Sequence, residues 1–204
     1  MRRTKEEAEA TRQQLMDIAL KVFSTRGYSA TRLSDIVAEA GVTRGAVYWH
    51  FENKQGLLFA VLSEIANPYI QTATDVLGSG LGPREKIRQL VCRVKDASDE
   101  SEAFLAHRQL AMRFMAEHPH GFEEYLRHIS RDMKKLTGQI TATIRDGQCI
   151  GEFRGDIDAR IITGLIAAVL RGSAMMKTMK GMDLLPRGTS EAVVDLIMGG
   201  LEPR

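Results

Sequence analysis

Within residues 31–54, TRLSDIVAEAGVTRGAVYWHFENK, the side chains able to do chemistry fall on one short helix rather than around a pocket. With Thr43 as its cap, Val47 and Phe51 turn inward, four residues apart. That leaves Thr43, Arg44, Gly45, Tyr48, Trp49 and His50 on or near the outer side, with Lys54 opening the next helix. Two large aromatics, a histidine and an arginine are costly to leave in water without purpose. Together they suit double-stranded DNA. A helix fits the major groove, where arginine reads the O6/N7 edge of guanine and threonine reaches a base or a methyl group. Tyrosine and histidine donate to phosphate oxygens, and glycine lets the helix backbone come close. Lys54 adds charge near a helix N-terminus, whose free N–H groups already favour phosphate. On the residues alone a blander reading stays open: Tyr48 and Trp49 pack on the rest of the chain, and Arg44 and Lys54 form a solvated face.

The surrounding periodicity supplies the elements that must hold this face. Leu15, Ile18, Ala19, Val22 and Phe23 form the apolar stripe of a first helix, ended by Gly27. Thr31 is placed to cap a second helix carrying Leu33, Ile36 and Val37 and stopping at Gly41. Val42 and Val47 sit as the staple that sets the entry angle of the third. A longer helix from Lys54 carries Leu58, Val61, Leu62 and Ile65 to Pro68, which should kink or end it. After the glycine-rich break at residues 78–83, helical periodicity continues over 84–97, 101–117, 121–146, 157–180 and 190–201, with no alternating strand pattern. The pattern predicts an all-α protein of about nine helices whose first three form a helix-turn-helix.

Composition narrows the class. The 204 residues are 44% hydrophobic and 26% charged, enough to build a core without a metal or disulfide staple. Cys92 and Cys149 lie far apart, which is neither a secreted framework nor a metal-ligand spacing. The charged N-terminus lacks the apolar region of a signal peptide. No segment approaches the roughly 20 apolar residues that span a bilayer. A cytoplasmic protein without membrane partners is expected. The net charge is +2, and it lies wholly in residues 1–60, which carry nine Lys or Arg against seven Asp or Glu; the remainder is balanced at 19 against 19. So small a surplus argues against a sequence-neutral architectural DNA binder. No phosphate loop, nucleophile elbow or zinc-protease signature suggests catalysis, and no cofactor or metal site is expected. His118 and His120 are close in sequence, but no cysteine or carboxylate cluster completes a metal site.

Asp35-Ile36-Val37, Ala40-Gly41-Val42, Thr43-Arg44-Gly45, Tyr48-Trp49-His50-Phe51 and Asn53-Lys54 strongly resemble the DNA-binding domain of the tetracycline-repressor (TetR) family. VTRGAVYWHF and the preceding RRTKEEA look like the subgroup of acriflavine-resistance regulators that repress multidrug efflux pumps. The resemblance covers about residues 3–65; Val37 stands where the family usually has alanine. It implies that Thr43, Arg44 and Gly45 read bases or adjacent backbone. Tyr48, Trp49, His50, Lys54 and Thr31 would chiefly hold phosphates, with Arg2 and Arg3 as a basic arm. It also implies a helix-turn-helix domain over 1–54, linked through the helix 54–76, and an effector-binding and dimerisation domain over 55–204. Phe104, Met112, Met115, Phe122 and Met133 are the expected lining of an apolar effector cavity.

Such a protein is expected to bind a palindromic operator as a homodimer, because one short helix makes few contacts and two half-sites multiply them. Gly164, Ala168 and Gly172 recur every four residues beside Ile161 and Leu165, a smooth ridge that permits close helix approach. Val193, Leu196 and Ile197 offer a second apolar face, so these two helices are expected to pair with their symmetry mates. The regulated operon could be an efflux pump or a metabolic one, such as fatty-acid metabolism.

Overall fold

The computed structural model describes residues 5–100, 102–176 and 188–203, and the side chains at 65–66, 97–100, 102–107 and 174–176 are outside that description. Among the described residues there are nine α-helices and no strand. They are α1 (Lys5–Arg26), α2 (Leu33–Ala40), α3 (Arg44–Phe51), α4 (Lys54–Gly78), α5 (Pro83–Glu100), α6 (Glu102–Glu117), α7 (Pro119–Cys149), α8 (Ala159–Met176) and α9 (Ser190–Gly200). No helix of the described residues is long and apolar enough to cross a membrane.

Packing divides the chain into two compact units, residues 1–66 with 106–129, and residues 67–105 with 130–204. This cut differs from the division at residue 54 expected from sequence. The reason is core continuity. Leu57, Leu58, Val61 and Leu62 of α4, Leu110 and Phe114 of α6, and Tyr125 of α7 are buried in one cluster with α1, α2 and α3. Pro68 does not end α4, which runs on to Gly78. An interior proline removes one backbone donor, and here the helix continues past the lost bond.

In the first unit, α1 buries Leu15, Met16, Ala19, Val22 and Phe23, and α1, α2 and α3 pack on one another. Gly27 ends α1 with φ 81°, and Gly41 ends α2 with φ 63°, the left-handed conformation that costs glycine nothing. The amides of Gly41 and Val42 donate to the carbonyls of Ala38 and Val37, and Gln14 Nε2 donates to Ala40 O, so the end of α2 is satisfied. The start of α2 departs from expectation. Arg32 holds the cap position, and its amide donates to Asp35 Oδ2 at 3.0 Å. Thr31 is buried and its hydroxyl donates back to Gly27 O at 2.7 Å, so it is no cap.

In the second unit, α5 packs on α8 and α9. Ile87, Leu90 and Val91 meet Ile144, Ile162, Ile166, Val194 and Met198 in a second core cluster. Phe153 lies so close to α7 that a Cβ on Gly147 would overlap its ring. The buried apolar residues of α7 are Tyr125, in the first unit, and Ile140 and Ile144, in the second, while Leu126 is exposed.

Candidate nucleic-acid interface

Helix α3 is only eight residues long, too short to be stable alone, so its orientation depends on its ends and its inner face. Thr43 caps it as expected, accepting a hydrogen bond from the Ala46 amide at 3.3 Å. Val47 and Phe51 are buried, and Val42 packs against the same cluster. The Arg12 guanidinium lies 5.5 Å from the centroid of the Phe51 ring, covering the C-terminal end of the helix.

The outward face carries the groups expected there. Arg44 and Gly45 are exposed, and Arg44 has no carboxylate partner among the described residues. Trp49 is 73% exposed and Tyr48 51%. These are large apolar surfaces that the fold itself leaves uncovered. Trp49 and His50 meet edge to face, with ring centroids 4.4 Å apart, which restrains both side chains. A Cβ on Gly45 would touch nothing nearer than Thr43 Oγ1, at 3.8 Å. Packing within the protein therefore does not require glycine at this position.

The junction after α3 is tightly determined. Glu52 has φ 63° and ψ −47°, and the Asn53 amide donates to Phe51 O at 2.6 Å, closing a γ-turn of the rare, strained kind. Asn53 then caps α4, its Oδ1 accepting from the Gly56 amide at 2.8 Å. Gly56 passes so close to Phe51 O that any Cβ would overlap it. None of these three residues was singled out from the sequence for a structural role. A glycine two residues after Asn-Lys is a signal that could have been read, because close backbone approach is what glycine permits.

Two expected DNA residues have their side-chain polar groups engaged within the protein. Thr31, buried with its hydroxyl committed, presents nothing to a phosphate. Lys54 is half-buried; its ammonium donates to Tyr28 O and Thr31 O, both at 2.9 Å, and sits 4.1 Å from the centroid of the Tyr28 ring. Burial pulls its pKa below the usual lysine value. Arg2 and Arg3 lie outside the described residues.

The expected effector residues fall in both units. Met112, Met115 and Phe122 belong to the first, where Phe122 packs against the core, and Met133 belongs to the second. The Phe104 side chain is outside the described residues. Arg171 Nη2 lies 3.6 Å from Met133 Sδ.

Of the expected pairing residues of α8 and α9, Ile161, Leu165, Val193, Leu196 and Ile197 line an apolar groove of the second unit, together with Val169. Leu196 is 80% exposed, Ile161 66% and Leu165 60%. Gly164 and Ala168 are exposed too, and a Cβ on Gly164 or Gly172 would meet nothing within 4 Å. Val193 stands at the base of the groove. Only 7% exposed, it belongs mainly to the core of its own unit.

Residues 15–61 match the family model described as bacterial regulatory proteins, tetR family. The HTH-type transcriptional regulator AcrR of Shigella flexneri is 49% identical over 69 residues, 34% of this chain and 32% of that protein. The matched part of this chain thus spans about a third of that relative's length. The HTH-type transcriptional regulator SrpR of Pseudomonas putida is 34% identical over 180 residues, covering 83% of this chain and 80% of the relative. Among solved structures, Salmonella enterica GusR has the same fold, with a TM-score of 0.70 at 20% identity over 97% of each chain. A helix-turn-helix with its outer face uncovered and a relative at this identity over four fifths of its length lead to one assignment: the chain belongs to the TetR family of bacterial transcriptional regulators.

Proposed function

We propose that the protein is a homodimeric repressor that reads a palindromic operator through α3 and is released by a small lipophilic effector, controlling a multidrug efflux operon. The observation that carries the DNA-reading part is the outward face of α3. Arg44, Tyr48 and Trp49 stand exposed on a helix whose cap, inner face and exit turn are all fixed. Thr43 and Gly45 sit at the end that enters the groove, and His50 braces Trp49.

Dimerisation is supported by the uncovered apolar groove of α8 and α9. Contiguous exposure of Ile161, Leu165 and Leu196 is a liability for a monomer. A second copy would cover it isologously. The effector step is then a population shift: a ligand that favours a spacing of the two α3 helices unsuited to consecutive major grooves lowers operator affinity by its differential affinity for the two states. An efflux target is supported by the VTRGAVYWHF run, which looks like the acriflavine-resistance subgroup.

The deciding experiment measures affinity for a duplex selected by the protein from a random pool and for its scrambled version, at one salt concentration. Tighter binding to the selected duplex by about a thousandfold or more is expected of a specific regulator. Equal affinities would reject sequence reading, and a monomer by sedimentation at micromolar concentration would reject the dimer.

A further inference from the structure

We propose that Lys54 is a positioning residue for DNA reading: its ammonium ties the turn before α2 to the start of α4, and so sets the angle at which α3 meets DNA, instead of contacting a phosphate. The proposal rests on α3 being the DNA-reading helix.

An ammonium has three N–H donors and gains most where they meet fixed acceptors. Two of the three are spent on Tyr28 O and Thr31 O at 2.9 Å. Tyr28 O also accepts the Thr31 amide, at 3.3 Å. Both carbonyls belong to the segment between α1 and α2, and neither lies within a helix. The ring that Lys54 covers is itself immobilised. Tyr28 packs on Phe23, Phe114 and His118, with ring centroids 5.7, 5.1 and 5.4 Å away, and the adjacent Ser29 hydroxyl lies 2.7 Å from His118 Nε2. Lys54 is therefore anchored to the most restrained part of the turn.

What it restrains in return is the exit of α3. Only Glu52 and Asn53 separate Phe51, the last residue of α3, from Lys54, and Glu52 holds a strained conformation. Strain of that kind persists when its surroundings over-determine it. The Asn53 cap, the close pass of Gly56 and the Lys54 tie are the over-determining contacts. Releasing Lys54 leaves the γ-turn as a hinge, so the populated orientations of α3 spread. If the competent orientation falls to about a tenth of the population, operator affinity falls about tenfold.

The test uses Lys54→Met, which keeps the stem on the Tyr28 ring but removes the donors, and Lys54→Arg, which retains donors for both carbonyls. Affinities for the selected duplex and its scrambled version are followed against salt. A positioning role predicts about tenfold weaker operator binding by the Met variant, a smaller ratio between the two duplexes, an unchanged salt slope, and recovery in the Arg variant. A phosphate contact instead predicts a slope lower by about 0.9 with the ratio preserved, and that result overturns the proposal. So does a variant that loses only thermal stability and binds normally when folded. Should Lys54→Met not fold, acylation of wild-type lysines read by mass spectrometry decides. Lys54 should react slowly and to the same extent with and without operator; rapid labelling that DNA suppresses overturns the proposal. If the wild-type protein selects no duplex at all, the DNA-reading assignment fails and the proposal fails with it.

Discussion

The Lys54 ammonium lies over the Tyr28 ring, 4.1 Å from its centroid, and donates to the same residue's carbonyl oxygen at 2.9 Å. One side chain therefore holds both the face of an aromatic ring and the backbone that carries it, across 26 residues of sequence. The contact ties the turn between α1 and α2 to the start of α4, and it makes Tyr28, which no sequence pattern marks, central to the first unit.

Tyr28 also makes alkaline stability a readout of this unit. Burial, and then the Glu124 carboxylate, raise the Tyr28 phenol above its ordinary value, and burial raises Tyr125. Their raised folded values make a stabilising contribution that is complete below the unfolded value of about 10 and is lost as pH rises through the folded values. The melting temperature should therefore fall between about pH 9 and about pH 11, less steeply in Tyr28→Phe. Identical slopes in the two proteins would show that Tyr28 ionises no later in the folded state than in the unfolded one.

Gly45→Ala separates fold from function. The added methyl meets only Thr43 Oγ1 at 3.8 Å, so the fold should accept it. Removing a helical glycine stabilises by up to about 1 kcal/mol. Operator affinity should nevertheless fall at least about tenfold, because α3 could no longer approach DNA closely. Unchanged binding by a more stable protein would place Gly45 away from the DNA.

Gly56→Ala should do the reverse of a surface change. Its methyl would overlap Phe51 O, with backbone on both sides and no flexible side chain to give way. Destabilisation of about 3 kcal/mol or more is expected, measured by urea unfolding. A loss below about 1 kcal/mol would mean that the α3–α4 junction yields to admit a methyl group.

Leu196→Glu tests the paired face. Leu196 is 80% exposed, so the fold of one chain should shift by no more than about 0.5 kcal/mol. A charge at the centre of an apolar interface should instead give a monomer by sedimentation and weak operator binding. A dimer that survives would move the interface elsewhere.

Arg44→Ala and Trp49 report on α3 directly. Losing an arginine that reads a guanine edge should cost about 1–3 kcal/mol and relax preference at that position. Trp49 is the only tryptophan, so its fluorescence should change on operator binding. An intact preference order, or an unchanged signal at saturation, would count against this face.

The sequence by itself determined the helices and which face of α3 points outward. Periodicity, Gly27, Gly41 and the Thr43 cap act within a few residues, and local physics of that range is legible in a linear string. It also marked Ile161, Leu165 and Leu196 as a face in need of a cover. Tertiary structure alone decided which of these groups the packed chain closes over. Thr31 read as a cap and a phosphate ligand, but the approach of Gly27 O took its hydroxyl inside. Lys54 read as free charge until the carbonyls of Tyr28 and Thr31 claimed it. Val193 and Leu196 read alike in projection, yet Val193 is buried in the core of its own unit at the base of the groove while Leu196 is exposed. In each case a local pattern listed what the group could bond, and only the packed chain fixed which acceptor, ring or core surface came within reach.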